Sequence, residues 1–384
     1  MAQETARESV PQAAPQAAQA TTAANPDAEH IVEALLSFIA QPAASDEEFN
    51  ALALRIFARQ VQHNLPYQRF CQLRGKTPRL VKSWREIPAV PIDAFKEFTL
   101  SCVPPEACER VFMTSGTTRG EVKGRHHHPG LAVWDASMQR HFNQQFMAGD
   151  TRLRMGILFP TEELMFNSSL AHYLALAVRC FGTPDSAYYL DQDGLRTEAL
   201  IEALTDAQRT GKPFALLGAS YSFVHLLDAL QARQLSFALP AGSRILDTGG
   251  FKGQSREIPI QAFYEQLSAA FGVDRRQCIN MYGMTELSTQ FYDAGNHTLP
   301  SVKLGPHWIR SRVLDPLTGQ ELARGERGIL AHTDLANFNS VTTILTEDVG
   351  MATEDGFVLL GRAQGAQAKG CSLAVEDFLR AARA

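Results

Sequence analysis

The sequence predicts an α/β fold, with a large domain of layered sheets and helices joined to a β-rich subdomain, and three observations carry that reading. Short apolar runs at 155–159 and 214–217 are each followed by a helical stretch, 168–180 and 222–232, which is the alternation of a sheet covered by helices. Further strand-like runs stand at 244–247 and 277–280. Between about 300 and 360 the pattern changes to short strands broken by turn signals at 315–319, 324–328 and 354–356. The chain's 384 residues, 45% of them hydrophobic, suffice for one large domain plus a smaller one, or for two of ordinary size.

Taken in order, residues 1–28 are mostly Ala, Gln, Thr, Pro and Glu, too poor in apolar side chains to join a core, and are expected to form a disordered tail. A transit peptide is the alternative, but Glu4, Glu8 and Asp27 beside a single Arg7 fit its basic pattern badly. Ile31, Leu35, Leu36 and Ile39, then Phe49, Leu52, Leu54 and Ile56, predict two amphipathic helices, with Ser45 or Asp46 capping the second. Residues 88–91 read as a loop, and 110–113 as a strand ending at Thr114.

Charge and cysteine usage exclude several classes. Lys plus Arg number 36 against 41 Asp plus Glu, a formal charge of -5 without long blocks of one sign, so no nucleic-acid footprint is expected. The six cysteines form no C-x-x-C pair, which suits a reduced compartment, the cytoplasm by default. No apolar run approaches the roughly 18 residues of a membrane span.

Two segments carry chemistry. Thr114, Ser115, Gly116, Thr117 and Thr118, continuing through Arg119 and Lys123 to Gly124, follow a predicted strand. Glycines admit backbone N–H groups to phosphate oxygens, hydroxyls donate further hydrogen bonds, and the cations offset charge. This is no Walker A loop, because no Gly-Lys-Ser/Thr ending opens a helix, and a plain connecting loop is the competing reading. Farther on, Asn280-Met281 leads into Tyr282, Gly283, Met284, Thr285 and Glu286. These supply an aromatic face for a purine, a glycine for close approach, a hydroxyl, and a carboxylate able to hold Mg²⁺ beside phosphates. The three histidines 126–128 tempt a metal reading, yet consecutive strand residues cannot all face one ion.

In this order and about 165 residues apart, the two motifs resemble those of the adenylate-forming superfamily of acyl-CoA synthetases, peptide-synthetase adenylation domains and luciferases. The resemblance implies that ATP and Mg²⁺ are used to convert a carboxylic acid into an acyl adenylate. It implies an adenine-side loop at Gly249 and Gly250, a ribose-binding Asp348, and a hinge at Gly361 and Arg362, with Arg362 contacting ribose or phosphate. Segments at 124–126, 157–160, 167–172 and 361–373 look more closely like the LuxE-like acyl-protein synthetases, which in luminous bacteria feed fatty acyl groups to a partner reductase. In that family a terminal cysteine takes the acyl group, which here means Cys371.

Ser372 capping a final helix would leave Cys371 just outside a helix N-terminus, where the dipole and Lys369 favour the thiolate. A small apolar packing role is the alternative. On this reading 1–28 is a tail, 29–345 the large adenylation domain, and 346–384 a hinge with the C-terminal small domain reduced to a short helical remnant. With 22 residues after Arg362, the domain-sized unit of roughly 100 residues that the resemblance implies beyond the hinge is expected to be absent, and with it a lysine that contacts the reacting carboxylate. Lys123 or Lys252 is expected to replace that charge. The loss also removes the usual coenzyme A surface and favours transfer to a protein thiol, then to an acyl-accepting protein, a reductase or carrier protein. The fatty or aromatic acid is expected beside Phe159, Leu170, His172, Gly218 and Ser220. A ligase acting on coenzyme A or a carrier-protein phosphopantetheine, and a nucleotide-binding relative without catalysis, are the competing functions.

Overall fold

The computed structural model describes residues 26–115, 122–251 and 253–383. The expected tail, apart from its last residues, together with Gly116, Thr117, Thr118 and Lys252, lies outside the described residues, as does the side chain of Lys369.

Helix Pro26–Ala40 precedes helix Asp46–His63, whose N-terminus is closed by a capping box: Ser45 Oγ accepts from Glu48 N, and Glu48 accepts from Ser45 N. The predicted pair and the Ser45 cap are therefore present.

Among the described residues, one six-stranded sheet runs in the order Phe291–Tyr292, Cys278–Tyr282, Arg244–Thr248, Phe214–Ala219, Arg154–Leu158 and Ala187–Tyr188. All neighbours are parallel except the first pair. Because side chains alternate across a strand, Met155, Ile157, Ala215, Leu217 and Leu246 enter one core, with helices Ala132–Phe142 and Ser169–Phe181. Leu158, Phe214, Leu216 and Ile245 enter another, under helices Thr197–Thr210, Ser220–Ala232 and Ile260–Phe271. Burial on both faces is why these strands read as unbroken apolar runs.

The second sheet is antiparallel in the order Val302–Lys303, Phe357–Arg362, Thr343–Ala352, Arg327–Asp334 and Ile309–Leu314, the β-rich part expected from its turns. A two-residue strand, Val90–Pro91, adds in parallel against Thr343–Ala352, pairing Val90 with Ile344 and Pro91 with Leu345. The segment read as a loop is thus a sheet edge.

The final helix, Ala366–Arg383, packs on helix Leu65–Leu73 and on the short helix Ala94–Glu97. Phe378 is fully buried against Phe70 and Phe98, at ring distances of 4.8 and 5.7 Å. Arg69 Nη1 donates to Ala382 O at 2.9 Å. Among the described residues no helix is long and apolar enough to cross a membrane.

Candidate active site

Four neighbouring parallel strands end in a row, and each is followed by residues singled out in the sequence. Phe159 follows Arg154–Leu158, Ser220 follows Phe214–Ala219, Gly249 and Gly250 follow Arg244–Thr248, and Gly283 to Glu286 follow Cys278–Tyr282. The carboxyl edge of an open α/β sheet is where ligands of such folds bind.

The two ends of the Thr114–Gly124 loop meet this row at Glu286. Thr114 N donates to Gly124 O, and Gly124 N donates to Thr114 Oγ1, both at 3.0 Å, so the two ends of the loop are tied together. A Cβ at Gly124 would stand 3.2 Å from Glu286 Oε1 and from Thr114 Cγ2, a tight fit that glycine relieves where the loop passes the carboxylate. Ser115 and Lys123 are exposed on the two sides of the undescribed loop tip. His126 lies behind the motif, its Nδ1 2.9 Å from Thr285 O and its Nε2 2.9 Å from Ser340 Oγ. The three histidines are buried in strand Arg125–His128, and no group of three or more metal-capable side chains occurs among the described residues.

Glu286 is 5% exposed, and burial pushes its carboxyl up to about 7 despite the cations Lys96 and Arg362. A buried, charge-starved carboxylate beside a phosphate loop fits Mg²⁺, which characteristically takes one or two carboxylates and completes its shell with phosphates and water. The turn carrying it is held from behind. Asn337 Nδ2 donates to Glu286 O at 2.9 Å, and Asp334 accepts from Ser288 N, Thr289 N and Thr289 Oγ1.

Tyr282 joins the two sheets. Its ring is buried against Phe291, Phe357 and His332, so its faces belong to the core and its hydroxyl is the group directed at the site. That hydroxyl donates to Asp348 Oδ2 at 2.8 Å. Asp348 and Arg362 face each other across adjacent strands, with Arg362 Nε 3.1 Å from Asp348 Oδ1 and Nη1 2.8 Å from Glu347 Oε2. Asp348 therefore sits within strand Thr343–Ala352.

The expected acid-pocket residues are more committed than the sequence suggested. His172 is held between two carboxylates, Nδ1 2.6 Å from Glu162 Oε1 and Nε2 2.8 Å from Asp135 Oδ1. Burial opposes ionisation of Glu162, but His172 and Arg179 hydrogen bonds and the nearby Arg110 hold it below the usual carboxylate range. Ser220 Oγ donates to Asp247 Oδ2 at 2.7 Å, in a network that also contains Tyr264, Asn280 and the buried Lys303–Asp293 pair. Gly218 is a buried strand residue beside Leu158, and Phe159 is 6% exposed. His172 and Ser220 can bound a pocket by shape, but their polar atoms are already paired.

Cys371 differs from the expectation. The helix starts at Ala366, not at Ser372, so the cysteine lies inside it, and Ser372 Oγ bonds back to Ala368 O instead of capping. Gly370 permits this continuity, because a Cβ there would stand 2.3 Å from Pro316 O. The thiol is 7% exposed, with Sγ 4.0 Å from Thr346 O, in a crevice shared with Pro91, Ile92, Asp93, Leu345, Glu347 and Val375. Burial, then the charges of Glu347 and Asp93, push its pKa up. A thiolate favoured by a helix end is thus replaced by a protonated thiol beside carboxylates.

Sequence reasoning missed Asp93 and Lys96, whose Nζ and Oδ1 lie 2.7 Å apart. Both influence Glu286 and Glu347. They arrive through the Val90–Pro91 strand, too short to show any periodicity.

The family model described as acyl-protein synthetase, LuxE, matches residues 31–380. A long-chain-fatty-acid–luciferin-component ligase of Vibrio harveyi is 24% identical over 332 residues, covering 83% of this chain and 85% of the relative. The protein of the same name from Aliivibrio fischeri is 24% identical over 313 residues, covering 77% and 79%. Among solved structures, a 2-hydroxyisobutyryl-CoA ligase in the postadenylation state, in complex with 2-HIB-AMP, has a TM-score of 0.62 at 17% identity, covering 83% of this chain and 67% of that one. The last likeness establishes the shared fold.

Proposed function

The chain belongs to the acyl-protein synthetase (LuxE) family, and on that premise we propose that it is an ATP-dependent acid–thiol ligase acting through an acyl adenylate and Cys371. The observation that carries the reading is the joining of Tyr282, Asp348 and Arg362 across the two sheets, directly beside Glu286 and the ends of the phosphate loop.

ATP lies along the carboxyl edge. Thr114, Ser115, Gly116, Thr117 and Thr118 take its phosphates, Gly249 and Gly250 flank adenine, Asp348 binds the ribose hydroxyls, and Arg362 contacts ribose or phosphate. Tyr282 orients Asp348, while Gly283, Met284 and Thr285 bring the motif against the nucleotide. Glu286 would hold Mg²⁺, which would supply charge neutralisation at the phosphates. The acid, a fatty acid by the names of the relatives, is bounded by Phe159, His172, Gly218 and Ser220. Its carboxylate oxygen attacks the α-phosphorus, and pyrophosphate leaves with the electron pair. Positive charge for this step comes from Lys123 at the loop end and from Lys96 beside Glu286. The Cys371 sulfur then attacks the acyl carbonyl, AMP leaves, and the thioester is passed to an acyl-accepting protein, a reductase or carrier protein.

The test is ATP–pyrophosphate exchange with carboxylic acids of graded chain length. Exchange that requires a long-chain acid supports the reading, and no exchange with any acid in an otherwise folded protein rejects it.

A further inference from the structure

Cys371 must lose a proton to become a thioester, yet its surroundings disfavour the thiolate. It is buried, and the charged side chains that face it are Glu347 on strand Thr343–Ala352 and Asp93 ahead of helix Ala94–Glu97. A thiol in that position needs a base at hand rather than a low pKa of its own.

The crevice provides one. Cys371, Glu347 and Asp93 line the same opening, and Sγ lies 4.0 Å from the carbonyl of Thr346, the residue next to Glu347. The final helix lines the crevice with Cys371 and Val375, and two other elements bring charged groups to Glu347. Strand Phe357–Arg362 brings Arg362, whose Nη1 is 2.8 Å from Glu347 Oε2 and fixes that carboxylate. The Val90–Pro91 edge brings Asp93 into the same opening as Glu347, and Lys96 is paired with Asp93 at 2.7 Å.

We propose that Glu347 is the general base for acylation of Cys371, and that Asp93, held by Lys96, positions it. The inference rests on the acyl-transfer reading above. As Sγ bonds to the acyl carbon, the S–H proton passes to a Glu347 oxygen. The bond from the acyl carbon to the phosphate oxygen breaks, and AMP departs with that electron pair. Glu347 then releases the proton to solvent. Half-burial and the neighbouring Asp93 charge raise the affinity of Glu347 for a proton, which is the direction a base requires.

The test supplies preformed fatty acyl-AMP to the full chain and follows acylation of Cys371 by rapid quench and intact mass, across about pH 5.5 to 9. Glu347→Gln should slow acylation by about 100-fold and remove the acidic limb of the pH profile. Glu347→Asp should restore part of the rate with that limb shifted, and thermal unfolding identifies either variant that fails to fold. ATP–pyrophosphate exchange measured in the same proteins separates the steps. An equal fall in exchange and acylation by Glu347→Gln, or an unchanged pH profile, overturns the base while leaving Cys371 as acceptor. A wild-type chain that exchanges but never acylates Cys371 overturns both.

Discussion

The Tyr282 hydroxyl donates to Asp348 Oδ2 across 2.8 Å, tying the end of the parallel sheet to the middle of the antiparallel one. Asp348 in turn faces Arg362. Tyr282→Phe removes this bond, together with the longer 3.5 Å contact of the hydroxyl with His332 Nε2, and leaves the buried ring in place. A hydrogen bond to a charged acceptor contributes about 1.5–3 kcal/mol, so the KM for ATP should rise roughly 10- to 100-fold with a smaller change in kcat. Steady-state exchange kinetics check the split.

With Mg²⁺ held by Glu286 as proposed, a proton would compete with the metal for this carboxyl, which burial pushes up to about 7. Below that value the protonated form dominates and cannot ligate. The apparent Mg²⁺ affinity in the exchange assay should therefore climb as pH rises toward about 7, approaching tenfold per unit at the acid end, and level off above about 8. Glu286→Gln should suppress exchange and flatten that dependence.

Lys96 stands beside Asp93 at 2.7 Å and is partly exposed. Its charge acts on Glu286 and Glu347. Lys96→Met should lower acid-dependent exchange roughly tenfold, less than the loss expected of a fully enclosed donor, while Lys96→Arg keeps most of the rate. Equal losses in the two variants would point to packing instead of charge.

Lys303 and Asp293 form a pair at 2.7 Å, their side chains 4% and 0% exposed, and Lys303 also donates to Asn280 at the motif's entry. Lys303→Met strands the Asp293 carboxylate and should cost about 3–5 kcal/mol in urea unfolding. Pairing it with Asp293→Leu should recover much of that loss, because the uncompensated charge is gone.

Contiguous features were legible in the sequence. The strands at 155–159 and 214–217 announced themselves as apolar runs because both faces are covered, and Ser45 with Glu48 announced a helix start. The loop from Thr114 and the Tyr282–Glu286 motif stood out because each compresses glycine, hydroxyl and charged residues into a short stretch. Features made by long-range pairing were silent. Nothing in residues 90–97 indicates that Val90 and Pro91 pair with Ile344 and Leu345, so Asp93 and Lys96 could not be placed at the site. The start of the last helix was misread for a local reason. The Gly370-Cys371-Ser372 sequence has the composition of a helix boundary, but the glycine serves a close approach to Pro316. The commitments of His172 and Ser220 to Glu162, Asp135 and Asp247 likewise come from distant segments.

The central claim is that one chain both makes an acyl adenylate and receives the acyl group on Cys371. Intact-mass analysis after incubation with ATP, Mg²⁺ and a long-chain fatty acid tests it most directly. A single added acyl mass is expected, removed by hydroxylamine and abolished by Cys371→Ser while acid-dependent exchange persists. An adduct that survives Cys371→Ser, or exchange with no adduct on the wild-type chain, would contradict it.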